Sequence, residues 1–270
     1  MNAPENMAGN VVDPGKQSRS DERQNVIIEK VRQSGAVSVS ELSKLFGVTY
    51  QTIRRDLRAL EDKGLIQKGF GGAFAAPGAS FQQYSERLQA HREEKRRLVL
   101  ALEPFLTESA TVFVGLGTTF AALHEVVAHL PGVLIATPNL EVAYSCSLKT
   151  DATVFVYGGY IKNKDSAIVT VPDESRTRFK FDVAIVGASA IDEDGALLDF
   201  DPLEVDLIRS ILPLSRKVIL VVHGEKFGSK APHRIADLSS VDVLITNTDP
   251  AGKLRDPEIL NALQVVRIGA

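Results

Sequence analysis

The apolar positions in the first quarter of the chain predict three short helices followed by a hairpin. The helices would carry apolar stripes formed by Ile27, Ile28 and Val31, by Leu42, Leu45 and Phe46, and by Ile53, Leu57 and Leu60. Ser38 or Ser40 and Thr49 are suitable helix N-caps, and Gly47 would make the turn between the last two helices. The glycine-rich stretch "LIQKGFGGAF" then predicts a β-hairpin wing, so the pattern is typical of a winged helix-turn-helix.

From residue 111 onward, short and continuous apolar runs alternate with helical patterns. The runs are "TVFV", "VLIA", "TVFVY", "VAIVG", "VILVV", "VLIT" and "QVVRI". Continuous rather than alternating apolar strands indicate a sheet that is covered on both faces, which is typical of a parallel sheet in an α/β domain. The predicted fold class is therefore α/β, with an N-terminal winged helix-turn-helix and a C-terminal α/β domain whose sheet is mostly parallel.

The chain divides into four predicted segments. Residues 1–20 form a disordered polar leader, 21–76 the winged helix-turn-helix, 77–108 a linker with a charged connecting helix, and 109–270 the α/β domain. The leader lacks the apolar core of a signal peptide, and no apolar run approaches the roughly 18 residues that span a membrane. The single cysteine, Cys146, excludes a disulfide within the chain, has apolar neighbours that favour a buried thiol, and fits a reducing compartment. We expect a cytoplasmic protein with no membrane contact.

Charge changes the interpretation of the third helix. The chain carries a formal net charge of −3, yet residues 21–78 hold nine Lys and Arg against seven Asp and Glu. On a helical wheel, Gln51, Arg54, Arg55 and Arg58 lie opposite the apolar stripe. A solvated helix face is the plain alternative, but the helix spacing, the glycine turn and the wing together favour a recognition helix in the major groove.

Specific DNA contacts follow from this interpretation. Arginine can bind guanine or phosphate, Gln51 can read adenine, and residues at the helix start can hold phosphate. Lys68 on the wing would contact the DNA backbone or minor groove. The predicted DNA-binding residues are Thr49, Tyr50, Gln51, Thr52, Arg54, Arg55, Arg58 and Lys68. Asp56 is expected to form an ion pair with Arg55 or another nearby basic residue.

The loops after the predicted strands of the second domain carry polar groups. In "VGLGTTF", residues 114–120, Gly115 and Gly117 let the backbone approach a ligand, and Thr118 and Thr119 offer hydroxyls at a helix start, although a tight turn alone would also need glycines. Later strands are followed by Thr137 and Asn139, by Asp192, Asp194, Asp199 and Asp201, and by His223, Glu225 and Lys226. Ligands bind beyond the carboxyl ends of parallel strands, so these groups can converge, and Lys226 would balance a phosphate.

Residues 23–74 resemble the DNA-binding head of the DeoR family of bacterial regulators. The segments that carry the resemblance are "RQNVIIEKV" and "VSVSELSKLFGVTYQTIRRDLRALEDKGLI", and above all "TIRRDL". The wing matches in "GGA" at 71–73, with Phe70 and Lys68 where the family commonly has histidine and arginine. The resemblance extends over residues 21–250, and "IDEDGALLDFDPLEV" and "VVHGEKFG" are most similar to regulators of glycerol 3-phosphate regulons.

This resemblance implies a transcriptional regulator, a repressor of a sugar or polyol operon, that binds operator DNA and a phosphorylated sugar or polyol such as glycerol 3-phosphate. It implies a sensor domain related in fold to ribose-phosphate isomerases and CoA transferases. The implied effector-binding residues are Gly117, Thr118, Thr119, Asn139, Asp192, Glu204 and Lys226. Gly115, Leu116, Ile208 and His223 depart from the family pattern, which is expected to alter sugar recognition while the phosphate cradle remains.

One alternative of another class stays open, an isomerase-like sugar-phosphate enzyme with an accessory DNA-binding head. His223, Glu225 and Asp192 could then perform acid–base chemistry. No catalytic residue and no cofactor are predicted on the leading interpretation, and no metal site, because no Cys/His cluster has metal-ligand spacing. A homo-oligomer, dimer or tetramer, is expected, because one helix-turn-helix reads too few base pairs for specificity.

Overall fold

The computed structural model describes residues 14–34, 36–63, 65–69, 72–75, 83–162, 167–170 and 179–269. Predictions for residues 1–13, Gly64, Phe70 and Gly71 lie outside these ranges. No helix among the described residues is both long and apolar enough to cross a lipid bilayer.

The N-terminal region is a winged helix-turn-helix, as predicted. Its helices are α1 (Pro14–Ser34), α2 (Val39–Phe46) and α3 (Tyr50–Asp62), and its strands are β1 (Ala36–Ser38), β2 (Ile66–Gly69) and β3 (Gly72–Ala75). The antiparallel strands lie in the order β1-β3-β2. Helix α1 begins at Pro14, so the last residues of the predicted disordered leader, 14–20, are helical. Strand β1 was not predicted because three residues carry no detectable period.

Local interactions explain the turn between α2 and α3. Ser38 caps α2 in a reciprocal capping box with Glu41, and Gly47 ends that helix in the left-handed conformation, at φ 61°. Thr49 then caps α3 by accepting a hydrogen bond from the backbone N–H of Thr52. The apolar stripes predicted from the sequence meet in one small core, which includes Ile27, Leu42, Ile53, Leu57 and Leu60. The assignment of Leu45 to the stripe of α2 was wrong, because its side chain is 51% exposed.

The C-terminal domain is built on a seven-stranded, entirely parallel sheet. Its strands are β4 (Thr111–Val114), β5 (Leu134–Thr137), β6 (Thr153–Val156), β9 (Phe181–Val186), β12 (Ser215–Val222), β14 (Val243–Thr246) and β15 (Gln264–Arg267). All seven predicted runs are therefore confirmed as strands. The order is β15-β14-β12-β9-β4-β5-β6, so the chain winds outward in both directions from the β4–β9 pair. Ligand crevices in α/β domains form beside such a pair, beyond the carboxyl ends of its strands.

Two small antiparallel sheets accompany the central one and were not predicted. They comprise β7 (Gly159–Lys162) with β8 (Ala167–Thr170), and β10 (Ala190–Ile191), β11 (Ala196–Asp199) and β13 (His233–Asp237) in the order β10-β11-β13. Their strands have two to five residues, which is too short for a reliable apolar alternation.

Helices cover both faces of the central sheet. The α-helices are α4 (Gln83–Gln89), α5 (Arg92–Leu100), α6 (Leu123–Val127), α7 (Leu140–Lys149) and α8 (Pro202–Ile211). Short 3-10 helices occupy Glu103–Phe105, Thr118–Ala122, Leu212–Leu214, Gly224–Lys226, Leu238–Ser240, Ala251–Lys253 and Pro257–Ala262. A hydrophobic core lies on each face of the sheet, and β4 contributes to both. Val112 and Val114 pack in the core on one face, and Phe113 packs in the core on the other.

The prediction of a single charged connecting helix before the sheet was wrong. The segment forms two helices, α4 and α5, separated at His91, which has a left-handed backbone with φ 53°. Leu98 and Val99 of α5 are fully buried in the same core as Val112. Helix α5 is therefore part of the α/β domain, which brings its charged residues close to the ends of the strands.

Candidate functional site

The outward face of α3 carries the residues predicted to read DNA. Gln51, Arg54, Arg55 and Arg58 are all exposed, whereas the apolar stripe of the helix is buried. At the start of the helix, the Tyr50 hydroxyl lies 3.3 Å from the Ser40 hydroxyl of α2. The Thr49 hydroxyl is already occupied as the N-cap, with its oxygen 3.3 Å from the backbone nitrogen of Thr52. The arginines are thus held on a capped helix and point away from the core.

Asp56 lies on the inner side of the same helix and joins it to α1. Its carboxylate is 2.6 Å from Arg23 Nε and 3.1 Å from Arg23 Nη2, and it accepts a third hydrogen bond from the Ser20 hydroxyl. An ion pair was predicted, but the partner is Arg23 and not Arg55. Asp56 is 1% exposed, so it can reach only a basic residue from a packed neighbouring helix.

Lys68 links the wing to the end of α3. Its ammonium lies 2.7 Å from Glu61 Oε2, and its backbone N–H donates to Glu61 Oε1 at 3.0 Å. These hydrogen bonds lower the pKa of the Glu61 carboxyl. Lys68 remains a predicted DNA contact, and its ammonium would have to exchange Glu61 for a phosphate.

In the α/β domain, Asn139 connects the loops that follow β4 and β5. Its Nδ2 donates to the carbonyl oxygen of Gly117 at 3.1 Å, and its Oδ1 caps α7. Gly117 has φ 129°, a conformation that favours glycine. The turn predicted from "VGLGTTF" is therefore present and anchored by a buried amide.

The helix predicted to start at Thr118 and Thr119 is short and divided in two. A five-residue 3-10 helix, Thr118–Ala122, is followed by the five-residue α6. Such short elements have only a weak macrodipole. Attraction for an anion must therefore come mainly from charged side chains.

Those charges are supplied in part by α4 and α5. Lys95 donates a hydrogen bond to the Thr118 hydroxyl at 3.0 Å. Burial, together with the nearby positive charges of Lys226 and Arg87, lowers the pKa of Lys95 to about 8. Burial and Arg87 also lower the pKa of Lys226, while Asp199 and Glu225 oppose that shift. Lys226 and Arg87 thus lie close to Lys95, which contacts Thr118, and an added anion would relieve the mutual repulsion of these three basic groups.

Asp199 is the acidic counterpart of this cluster. Burial raises the pKa of its carboxyl, and hydrogen bonds from the Phe200 backbone and the Ser189 hydroxyl, together with the charge of Lys226, partly offset that rise. Asp199 ends β11 and Lys226 follows β12, so the antiparallel sheet and the central sheet meet at the cluster.

The remaining predicted effector residues are placed differently. Asp192 accepts a hydrogen bond from the Glu193 backbone at 2.8 Å, within the turn that joins β10 to β11. Glu204 lies in the first turn of α8, whose N-cap is Asp201. Lys95 and Arg87 were not predicted from the sequence, and Asp199 was predicted only as one of four aspartates that follow a strand. The first two were hidden in a charged run that also fits a solvated helix, and no periodic signal distinguished Asp199 from its neighbouring aspartates.

A cavity of about 210 Å³ opens beside Thr118 and Thr119. Its walls come from α4, α5, the loop after β4, α6 and α7. Basic groups predominate among its charged lining residues, which are Arg92, Lys95, Arg96, Lys149, Glu125 and Glu141. The cavity is large enough for a small phosphorylated metabolite.

Comparisons with known proteins agree with the division into two domains. A family model described as the DeoR-like helix-turn-helix domain matches residues 23–76, and one described as the DeoR C terminal sensor domain matches residues 90–248. The glycerol-3-phosphate regulon repressor of Escherichia coli is 37% identical over 231 residues, which cover 85% of this chain and 91% of that protein. Its namesake from Haemophilus influenzae is 33% identical over 230 residues, covering 85% and 90%.

Solved structures give weaker likenesses. The full-length sorbitol operon regulator SorC from Klebsiella pneumoniae is 13% identical with a TM-score of 0.39, covering 83% of this chain and 96% of that chain. Ribose 5-phosphate isomerase from Plasmodium falciparum is 15% identical with a TM-score of 0.36, covering 50% and 52%. Neither likeness bears on the function.

Proposed function

Because the chain belongs to the DeoR family of transcriptional regulators, we propose that it represses a sugar or polyol catabolic operon until a phosphorylated metabolite releases it. Glycerol 3-phosphate is the first candidate effector, since relatives that share a third or more of the sequence are named as repressors of the glycerol 3-phosphate regulon. The observation that carries the proposal is the contact of Lys95 with Thr118, with Lys226 and Arg87 close to Lys95.

The DNA-binding part of the proposal rests on the exposed face of α3. Gln51, Arg54, Arg55 and Arg58 would enter the major groove, with Thr49, Tyr50 and Thr52 near phosphate. Lys68 would follow the adjacent backbone after leaving Glu61. Two or more heads are needed to select one operator in a genome, so we propose a dimer or tetramer joined largely through the sensor domain.

We expect the phosphate group of the effector to bind at the loop that contains Thr118. Thr118, Thr119 and the backbone after Gly117 would donate hydrogen bonds, and Lys95 and Lys226 would balance the charge. Asn139 would hold the loop in shape from below. We propose that Asp192 and Glu204 lie near the polyol portion of the effector. Leu116 and His223, which differ from the family pattern, would then determine which polyol fits.

The chain is a regulator rather than an enzyme, because its relatives over most of its length are transcriptional repressors. An isomerase-like activity would require turnover of a sugar phosphate. Incubation with ribose 5-phosphate and glycerol 3-phosphate, followed by product analysis, is expected to show none.

A thermal-shift screen tests the proposal directly. Glycerol 3-phosphate, other sugar phosphates, glycerol and inorganic phosphate would be compared on the full chain. A specific binder at 100 times its dissociation constant stabilises the protein by about 2.7 kcal/mol. The same compound is expected to lower operator affinity at constant salt, and sedimentation is expected to show an oligomer. The proposal would be contradicted if no phosphorylated compound stabilised the protein, or if the protein bound DNA as a monomer of 29.3 kDa.

A further inference from the structure

A cluster of two histidines and a glutamate lies where α5 meets the carboxyl end of β12. His223 Nε2 is 2.8 Å from Glu94 Oε2, and His91 Nδ1 is 3.1 Å from Glu94 Oε1. The two imidazole rings lie against each other, with their centroids 4.4 Å apart and their planes inclined by 35°. No local pattern in the sequence predicts this cluster, because His91 and His223 are far apart in the chain and only the fold brings them together.

We propose that His91, Glu94 and His223 bind a divalent transition-metal ion of the zinc class. One potential ligand atom from each residue lies within 4.8 Å of the other two. Ligands at about 2.0–2.2 Å from a tetrahedral ion are separated by roughly 3.4 Å, so small side-chain movements would suffice. Two imidazoles with one carboxylate suit zinc, cobalt or nickel better than magnesium or calcium, which prefer oxygen ligands only.

Neighbouring groups are placed to orient these ligands. Asn247 donates from Nδ2 to Glu94 Oε2 at 2.7 Å, and its Oδ1 accepts from the Gly224 backbone at 2.7 Å. The Glu225 carboxylate lies 3.2 Å from His91 Nε2 and 3.6 Å from His223 Nδ1. Carboxylates and amides in such positions fix the rotation and tautomer of metal-bound side chains.

The backbone also favours a built site over a chance contact. His91 keeps a left-handed conformation, φ 53°, which is uncommon for a residue other than glycine and costs free energy. This conformation turns its ring onto His223. His223 is only 8% exposed, whereas His91 is exposed, so one ligand is fixed in the domain and the other leaves a path for the ion.

Metal binding would fix α5 on the sensor sheet. Glu94 immediately precedes Lys95, which contacts Thr118, and His223 lies in the same loop as Lys226. An ion at this position would therefore attach both basic residues to one rigid unit. The inference concerns metal binding itself and does not depend on which metabolite the sensor recognises.

The test uses the full chain without a histidine tag, treated with a chelator and dialysed. Zinc chloride is titrated by calorimetry, and cobalt chloride by visible absorption, which is intense for tetrahedral cobalt. Wild type is expected to bind one zinc ion per chain and no magnesium. Glu94→Gln and His91→Gln are expected to weaken zinc binding by at least about 100-fold, and Asn247→Ala by about 10- to 100-fold.

His129→Gln is the matched control, since His129 is an exposed histidine outside the cluster. Because a change at the buried His223 can unfold the domain, the variants at the exposed His91 decide the matter, with circular dichroism as a check of folding. Zinc affinity that is unchanged in folded His91→Gln and Glu94→Gln, or zinc binding by wild type no tighter than magnesium binding, would overturn the proposal.

Discussion

The side-chain amide of Asn139 donates a hydrogen bond to the carbonyl oxygen of Gly117 across 3.1 Å, and its oxygen caps α7. One side chain, 2% exposed, thus holds the turns that follow two adjacent strands. The turn after β4 contains Thr118, so the shape of the proposed phosphate site depends on a residue that need not touch the ligand.

Replacing Asn139 separates its two roles. Asn139→Ala removes both the cap and the bond to Gly117 and is expected to lower the free energy of unfolding by about 1–3 kcal/mol. Asn139→Ser retains a capping hydroxyl and is expected to recover about 1 kcal/mol of that loss. Urea unfolding followed by circular dichroism measures both. Equal stability of the alanine variant and wild type would show that the amide does not anchor the turn.

The ion pair between Asp56 and Arg23 gives a prediction for the DNA-binding head. Asp56→Ala removes a buried carboxylate that accepts hydrogen bonds from Arg23 and Ser20, and it is expected to destabilise the head by about 1–3 kcal/mol. Arg55→Ala, at an exposed position next to Asp56 in sequence, is expected to change stability by no more than about 0.5 kcal/mol. The two variants are compared by thermal unfolding. A larger loss in Arg55→Ala than in Asp56→Ala would contradict the pairing of Asp56 with Arg23.

The sequence predicted those parts of the molecule that depend on local periodicity. The seven parallel strands are continuous apolar runs, and α3 has a clean apolar stripe, so both were correct. The partner of Asp56 was not predictable, because Arg23 lies on another helix and only the packing of α1 against α3 joins them. Lys95 was missed for the same reason: a lysine in a charged helix looks solvated until the helix packs over a strand end.

Alanine variants can distinguish a residue that contacts a DNA base from one that contacts a phosphate. Arg54→Ala is expected to weaken binding to the specific operator by about 1–3 kcal/mol if Arg54 contacts a base. Lys68→Ala is expected to weaken binding to all sequences and to reduce the slope of log affinity against log salt by about one unit. Fluorescence anisotropy on operator and random DNA at several salt concentrations measures both. Unchanged operator affinity in a triple alanine variant of Arg54, Arg55 and Arg58 would refute the assignment of α3.

Cys146 predicts how stability changes at high pH. The thiol is fully buried in α7, and this burial raises its pKa from 9.0 to about 11. In the folded protein the thiol keeps its proton up to a higher pH than it does in the unfolded chain. The stability that comes from burying the protonated thiol is therefore complete below pH 9 and is lost as the pH rises through about 11. The stability difference between wild type and Cys146→Ala is therefore expected to shrink between these pH values. Alkylation of the native protein at pH 8 is expected to follow unfolding, and rapid labelling without unfolding would contradict the buried position.

Thr118 and Lys95 are expected to control the response to effector. Thr118→Val keeps the size of the side chain but removes the hydroxyl that accepts from Lys95, and it is expected to weaken binding of glycerol 3-phosphate by about 1–3 kcal/mol. Lys95→Met removes a charge that would face the phosphate, so we expect a loss of at least about 1.5 kcal/mol. Without effector, the methionine variant is expected to be no less stable than wild type, because the folded domain already disfavours the charged form of Lys95.

Both variants are expected to bind operator DNA like wild type when no effector is present, because α3 and the Thr118 loop lie in different domains. The phenotype would be a repressor that remains on its operator when effector is added. Lys253→Met, which removes an exposed lysine elsewhere in the sensor domain, is the matched control and should respond normally. Calorimetry measures the affinity, and anisotropy measures release from DNA. If Thr118→Val and Lys95→Met both release DNA at the wild-type effector concentration, the phosphate binds elsewhere, because a phosphate site centred on Thr118 would be weakened by the loss of either its hydroxyl or its nearest ammonium.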